Sequence, residues 1–450
     1  MEINHISNSF INVKVNESVI TCDPWVGNTT CNAWLAYPLY NNQKSILNKI
    51  KPNFIYISHL HGDHLHLPTL SKYKKKNTIV IIKKFNNSRL KNEIEKSGLT
   101  KIIELDAWKK YKLNKDLSVC IIPQLSSNTD EIEEQINYDL DTSILIQSNK
   151  TGKVFFNNVD NPLSIKDLKK IKKHSKKIFN SEIDITCFSV GAASEYPHCF
   201  TNINREKEKK KIIQNSLKKL KQKLNVLKPK VFFPAGGSYL IYGKFSNLNK
   251  FIAQPTFRQI RDQLDTQKYK VFKMEGESKI KEKNNEWILS KKIEKNNFIY
   301  EEKKINDIYK KKPYFFSKDF KNISIKNIDA QFKKSKINYF EILKKFPIKT
   351  KWKINFFIYK NLILNAKGKI DYKKSKYLKE YSLLNQTENK QKKNSFSNLS
   401  CHVDYNLFYG LLKRKYVWNT ALSGSVVMFE RKPNFFDPNV TFSLNFLGSH

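Results

Sequence analysis

From residue 1 to about 260, short β-rich apolar runs alternate with helical stretches, and this alternation restricts the chain to layered α/β architectures. Strand candidates are 19–22, 54–57, 78–82, 117–122, 143–147, 154–156 and 231–233, each bounded by polar or turn residues. Ahead of the last of these, Ile213, Leu217, Leu220, Leu224 and Leu227 recur at spacings of 4, 3, 4 and 3. That spacing predicts a helix over 205–228 with a solvated lysine face, ended by Pro229.

A chain of 450 residues exceeds what one hydrophobic core usually serves, so more than one folded unit is expected. With 40% apolar and 13% aromatic residues, a packed core is within reach. The division expected is a catalytic α/β domain over 1–262, a Lys-rich linker or insertion over 263–340, and a small carboxy-terminal α+β domain over 341–450. The middle stretch has few periodic apolar positions, whereas 352–364 and 417–447 are rich in aromatic and β-branched residues. The polar stretch 387–400 reads as a loop.

The net charge is +41, from 82 Lys plus Arg against 41 Asp plus Glu. Such a balance ordinarily suggests nucleic acid or an anionic surface. Here the excess is mostly lysine spread along the whole chain, together with heavy use of Asn, Ile and Phe. It therefore reads as a solvated surface that draws in small anions, with no specific nucleic-acid partner expected. No window approaches the roughly 20 apolar residues of a membrane span. The first residues, Met-Glu-Ile-Asn-His-Ile, show no basic region followed by an apolar stretch, so a cytoplasmic location is expected. Six scattered cysteines without paired spacing suit reduced thiols.

Four of the nine histidines, His59, His61, His64 and His66, crowd into positions 59–66. They follow the apolar run 54–57 in the order Ser58-His-Leu-His-Gly-Asp-His64. In an extended segment beyond a strand, His59 and His61 point to one side because side chains alternate with period two. Gly62 allows a turn that brings Asp63 and His64 round to the same point. Neutral imidazoles with a carboxylate suit zinc, iron or manganese. His66 falls outside the motif.

Residues 54–70, Phe-Ile-Tyr-Ile-Ser-His-Leu-His-Gly-Asp-His-Leu-His-Leu-Pro-Thr-Leu, resemble the metal motif of the metallo-β-lactamase superfamily, and Cys22-Asp-Pro-Trp25 resembles its early Asp-Pro-Trp segment. More narrowly, the chain is similar to the catalytic, non-Rieske part of the CMP-N-acetylneuraminic acid hydroxylase family. That likeness rests on the Asp-Pro-Trp segment with Trp34 after it, the histidine motif, Asp141-Thr-Ser-Ile, Phe155-Phe-Asn-Asn-Val-Asp160, Gly191-Ala-Ala-Ser-Glu-Tyr-Pro197 and Phe233-Pro-Ala-Gly-Gly237. It covers about residues 18 to 260.

The resemblance implies an αββα sandwich and one or two divalent ions, zinc or iron, held by His59, His61, Asp63, His64 and Asp160, with Asp63 and Asp160 as catalytic carboxylates. Asp160 also closes the apolar run 154–159, at a strand mouth where α/β folds place their sites. The pattern departs from dinuclear hydrolases of this fold, which supply further histidines. This chain has none from 67 to 173 and none where its late strand ends in Phe233-Pro-Ala-Gly-Gly, which leaves Asp141, Asp139 and His198 as substitutes to consider.

The hydroxylase family also uses a Rieske cluster, which needs Cys-x-His and Cys-x-x-His pairs. None of the six cysteines here is followed two residues later by histidine. The expectation is a hydrolase acting on a small anionic sugar, sugar nucleotide, ester or lactone. The alternative is an oxygenase component fed by a separate ferredoxin-type electron donor. Tyr196, Tyr239 and Arg258, with Tyr242 and Arg261, are the candidates for binding a carboxylate or phosphate.

Overall fold

In a computed structural model of the protein, the residues described are 1–29, 33–74, 77–125, 141–192, 194–237, 239–274, 278–290, 298–299, 301–309, 312–320, 323–345, 352–383 and 397–449. Two mixed sheets face each other. The eight-stranded sheet has the order Glu286–Ser290, Lys279–Lys283, Glu2–Ser7, Phe10–Val15, Ser18–Cys22, Phe54–Tyr56, Ile79–Lys83, Ile102–Leu105. The seven-stranded sheet runs Tyr111–Lys112, Leu117–Ile122, Ser143–Ser148, Val154–Asn157, Ile183–Phe188, Val231–Pro234, Lys270–Val271.

Both sheets begin antiparallel and turn parallel, the first from Ser18–Cys22 onward and the second from Val154–Asn157 onward. The parallel strands of each sheet therefore end along one edge, the usual location of sites in such sheets.

Val13, Ile20, Tyr56 and Ile81 of the first sheet share one buried cluster with Val119, Ile146, Phe155 and Phe233 of the second. The outer faces are covered as well. Ile46, Leu47, Leu90 and Ile94 pack on Ile55 and Val80, and Leu168, Ile171, Leu217, Leu220 and Leu224 pack on Leu145, Phe156 and Phe232. The result is four layers, helix, sheet, sheet, helix. This explains why Leu117–Ile122 and Ser143–Ser148 are buried at every position, since a sheet covered on both faces has no solvent-facing row.

The predicted lysine helix is Arg205–Leu227. Asn204 caps its start by accepting from the Lys207 amide, Glu206 and Glu208 lie in its first turn, and Lys228 leaves it in the left-handed conformation before Pro229. Helix Ile165–Phe179, which the sequence reading did not single out, starts in a capping box made by Ser164 and Asp167.

Within the Lys-rich stretch, Lys279–Lys283 and Glu286–Ser290 form a hairpin turning at Asn284 and Asn285, both with positive φ. Its buried Ile280 and Trp287 join the core between the sheets, so lysines fill only the outward positions. Helix Ile325–Lys345 likewise buries Ile328, Phe332 and Tyr339. They pack into a core shared with the four-stranded carboxy-terminal sheet, ordered Lys376–Leu383, Trp352–Asn361, Ser397–Asp404, Met428–Lys432.

That core is continuous with the amino-terminal part, since Trp25, Trp34, Phe200 and Tyr239 lie in it beside Phe356, Trp418 and Phe429. Of the polar stretch 387–400, residues 397–400 begin a strand and the rest lie outside the described residues. Cys22, Cys120, Cys187, Cys199 and Cys401 are buried free thiols, and Cys31 lies outside the described residues. Among the described residues no helix is long and apolar enough to cross a membrane.

Replacing Leu224, which is fully buried, by alanine should cost about 2–5 kcal/mol. Lys218→Ala on the exposed face of the same helix should change stability by less than about 0.5 kcal/mol. Equilibrium urea unfolding distinguishes the two.

Candidate metal centre

Three imidazoles converge because the backbone after Phe54–Tyr56 is tied down on several sides. The Asp23 amide donates to the Tyr56 carbonyl (2.9 Å), so the end of Ser18–Cys22 runs beside the histidine loop. Hydrogen bonds from the amides of His64 and Leu65 to the His61 carbonyl (2.9 and 2.7 Å) close the turn at Gly62. From the second sheet, Thr142 donates to the Ser58 carbonyl (2.8 Å) and pairs with the Tyr56 hydroxyl, which sets Asp141 beside His59.

A buried relay fixes which nitrogen each ring presents. Asp23, wholly buried, accepts from the Ser58 amide (2.8 Å) and hydroxyl (2.7 Å) and from His64 Nδ1 (3.0 Å). With its proton directed at Asp23, the Ser58 hydroxyl oxygen accepts from His59 Nδ1 (2.9 Å). Both rings therefore direct Nε2 inward. His59 Nε2 lies 2.8 Å from His61 Nδ1 and 3.2 Å from Asp141 Oδ1, and His64 Nε2 lies 3.2 Å from Asp160 Oδ2.

Two overlapping ligand groups result, His59–His61–Asp141 and His59–His64–Asp160. Asp63 stands at the margin, 3.5 Å from His64 Nε2, with its Oδ2 accepting from the Asn8 amide side chain (3.2 Å).

Two of the carboxylates sit after strained backbone or within it. Val159, just before Asp160, has φ +52°, and Asp23 has φ +43°. A β-branched residue in the left-handed region costs on the order of 1–3 kcal/mol, and such strain concentrates at functional sites. Asn157 and Asn158 hold it: Asn157 Oδ1 accepts from the Val159 amide (3.2 Å), and Asn158 Nδ2 donates to the carbonyls of Val159 (3.2 Å) and Asn161 (3.0 Å). Gly236, at φ +92°, leaves room where a Cβ would come within 3.2 Å of Asp160 Oδ1.

The electrostatics ask for a cation. Burial, with the neighbouring His64 and His61 rings, pushes His59 well below the ordinary imidazole range, so its lone pair is available. Burial alone would raise Asp63, but His64 and then His61 outweigh it and bring the carboxyl down to about 2. Burial likewise opposes protonation of His64, yet Asp63, Asp23 and Asp160 around it raise it well above the ordinary range. Asp160 Oδ1 is buried and has no hydrogen-bond partner among the described residues. An acceptor-only atom in that state is costly unless a donor or a cation meets it. Imidazole nitrogens and carboxylate oxygens crowded together in this way fit a divalent ion.

The other candidates lie elsewhere. His66 is a structural residue preceding helix Leu67–Leu70, its ring bonded to Thr69 Oγ1 (2.7 Å) and the Asn28 carbonyl (3.1 Å), and burial lowers it to about 4. His198 bonds Ser425 Oγ (2.7 Å) and joins neither ligand group. Asp139 lies outside the described residues.

Tyr239 is buried and stacked on Trp34 at 3.7 Å, and its hydroxyl has no hydrogen-bond partner among the described residues. Burial, with Cys199 and Asp63 nearby, pushes that hydroxyl well above the ordinary phenol range. Tyr196 donates to Glu208 (2.7 Å) under the Arg431 guanidinium. Tyr242 is buried, and its carbonyl accepts from Tyr314 (2.9 Å). Arg258 and Arg261 are exposed, both beside Asp262. Sequence reasoning gave no role to Asp23, Ser58 or Asn419. The available signal for Asp23 was the Asp-Pro-Trp segment that it opens, directly after the strand Ser18–Cys22.

The four layers, with this motif at the carboxyl ends of the parallel strands, are the arrangement that the resemblance to the metallo-β-lactamase superfamily implies. The sequence is similar to CMP-N-acetylneuraminic acid hydroxylase of Danio rerio, 24% identical over 249 residues, which are 53% of this chain and 38% of that one. It is also similar to a protein described as a Rieske 2Fe-2S iron-sulfur protein of Mycobacterium tuberculosis, 28% identical over 126 residues, 27% of this chain and 24% of the other. The chain thus matches about a quarter to two fifths of the length of these relatives. Among solved structures, Igni18, a metallo hydrolase from Ignicoccus hospitalis, is similar with a TM-score of 0.43 and 15% identity over 65% of this chain and 99% of that one. No protein-family model matches.

Removing the charge of the relay with Asp23→Asn should weaken zinc or iron binding about 10- to 100-fold, because one amide oxygen must then serve the three donors that two carboxylate oxygens meet, and the charge that holds the His64 ring proton is gone. Competition against a chromogenic chelator measures the change.

Proposed function

We propose that the chain is a metal-dependent hydrolase of a small anionic substrate, such as a sugar, sugar-nucleotide or related ester or lactone. The observation that carries this reading is the convergence of His59 Nε2, His61 Nδ1 and His64 Nε2 with Asp141 and Asp160, whose Oδ1 is buried without a partner. His59, His61, His64, Asp141 and Asp160, with Asp63 at the margin, are the residues that would hold one or two ions. A divalent ion there supplies Lewis acidity and lowers the pKa of a coordinated water toward neutrality.

The chain's own groups do the remaining work. Asp63 and Asp160 accept hydrogen bonds from the attacking water and orient it. The Tyr239 hydroxyl is a donor for a substrate oxygen. A cleft of about 520 Å3 reaches Gly236, next to Asp160, and its mostly apolar lining carries the cations Lys209 and Lys273, the Tyr239 ring and one carboxylate, Glu302. Arg258, exposed and outside this lining, is a weaker candidate for substrate contact.

A second reading is favoured by the similarity to the Danio rerio hydroxylase. In it, the same residues hold iron in an oxygenase component. Electrons would then come from a ferredoxin-type donor.

Protein purified without added metal should contain zinc or iron, and His61→Ala and His64→Ala should each lower that content by at least about half while the fold persists. Esters, lactones and sugar conjugates should be turned over without an electron donor, with activity lost to chelators and reduced about 10- to 100-fold by Asp160→Asn. Turnover only with ferredoxin, reductase and oxygen would select the oxygenase reading instead.

A further inference from the structure

Of the three converging imidazoles, His61 is the one whose outward nitrogen meets neither Asp23 nor Ser58. Its Nδ1 faces His59 Nε2 at 2.8 Å, so Nε2 points away, and 2.7 Å beyond it stands Asn419 Nδ2. Asn419 lies 358 residues downstream, in helix Trp418–Ser423 of the carboxy-terminal region.

That helix is fixed on both sides. Trp418 is buried and donates from Nε1 to the Leu447 carbonyl (3.1 Å), and the Asn419 amide donates to Asn445 Oδ1 (3.3 Å). Just beyond the helix, Ser425 Oγ accepts from Trp34 Nε1 (3.4 Å) and meets His198 Nε2 (2.7 Å), both in the amino-terminal part.

A neutral imidazole that offers the Nδ1 lone pair carries its proton on Nε2, and that proton needs an acceptor. Half a turn about the last torsion of Asn419 presents the amide oxygen in place of the nitrogen. We propose that Asn419 is a positioning residue for His61, so that the carboxy-terminal region completes the metal centre. This rests on the reading of His61 as a metal ligand.

The three rings then have graded partners: a carboxylate for His64, a hydroxyl for His59 and an amide for His61.

The test is zinc affinity of the full chain, by chelator competition, for the wild type, Asn419→Ala, Asn419→Asp and His61→Ala, with thermal unfolding of each metal-free protein. Asn419→Ala should bind zinc about 10-fold more weakly. Asn419→Asp, which retains an acceptor oxygen and makes the ring more basic, should bind as tightly as wild type or more so. Wild-type affinity in Asn419→Ala overturns the proposal, as does equal weakness of the alanine and aspartate variants, which would mark a packing role for the helix. If His61→Ala also leaves affinity unchanged, or the wild type binds no zinc, the ligand assignment itself fails and takes this inference with it.

Discussion

One buried carboxylate organises the candidate centre. Asp23 accepts from the Ser58 amide, the Ser58 hydroxyl and His64 Nδ1, and through Ser58 it also sets His59. A carboxylate with no exposure is tolerable only when its lone pairs are met in this way. The arrangement depends on the sheet beneath, because the parallel pairing of Ser18–Cys22 with Phe54–Tyr56 brings Asp23 and the histidine loop to the same edge. The second sheet supplies Asp141 and Asp160 from the edge facing it, joined through Thr142 to the Ser58 carbonyl.

The same geometry leaves the site with more negative charge than its own protons balance. His64 alone is flanked by Asp23, Asp63 and Asp160, and it holds its proton far more tightly than an ordinary histidine as a result. A cation placed among these groups would relieve the mutual repulsion of the carboxylates and meet the buried Asp160 oxygen at once. The backbone strain at Val159 and Asp23 fits this picture, since both residues turn the chain just where a carboxylate must face inward.

Much of the layered domain was legible because its strands are covered on both faces and so read as unbroken apolar runs, as in 117–122 and 143–148. The lysine helix was legible from its leucine spacing. The hairpin at 279–290 was not, because only Ile280 and Trp287 are buried in the core, with Leu289 packed partly against it, while lysine and glutamate hold the exposed positions of both strands. Within the centre, the histidine cluster announces itself by density, and Asp160 by its place at a strand mouth. Asp23 is marked only by the Asp-Pro-Trp segment, which names no role for it, and Asn419 by nothing local: what gives them meaning is a partner 41 residues away for the first and 358 for the second. Arg258 has suitable chemistry but lies on a surface that faces solvent.

The account stands most directly on whether a metal occupies this cluster. Anomalous diffraction from crystals of the full-length chain grown with zinc or iron locates the ion without reference to activity. The account predicts a peak about 2.0–2.2 Å from His59 Nε2, from His64 Nε2 and from an oxygen of Asp160. Strong anomalous density at other residues, with none among His59, His61, His64, Asp141 and Asp160, would contradict it.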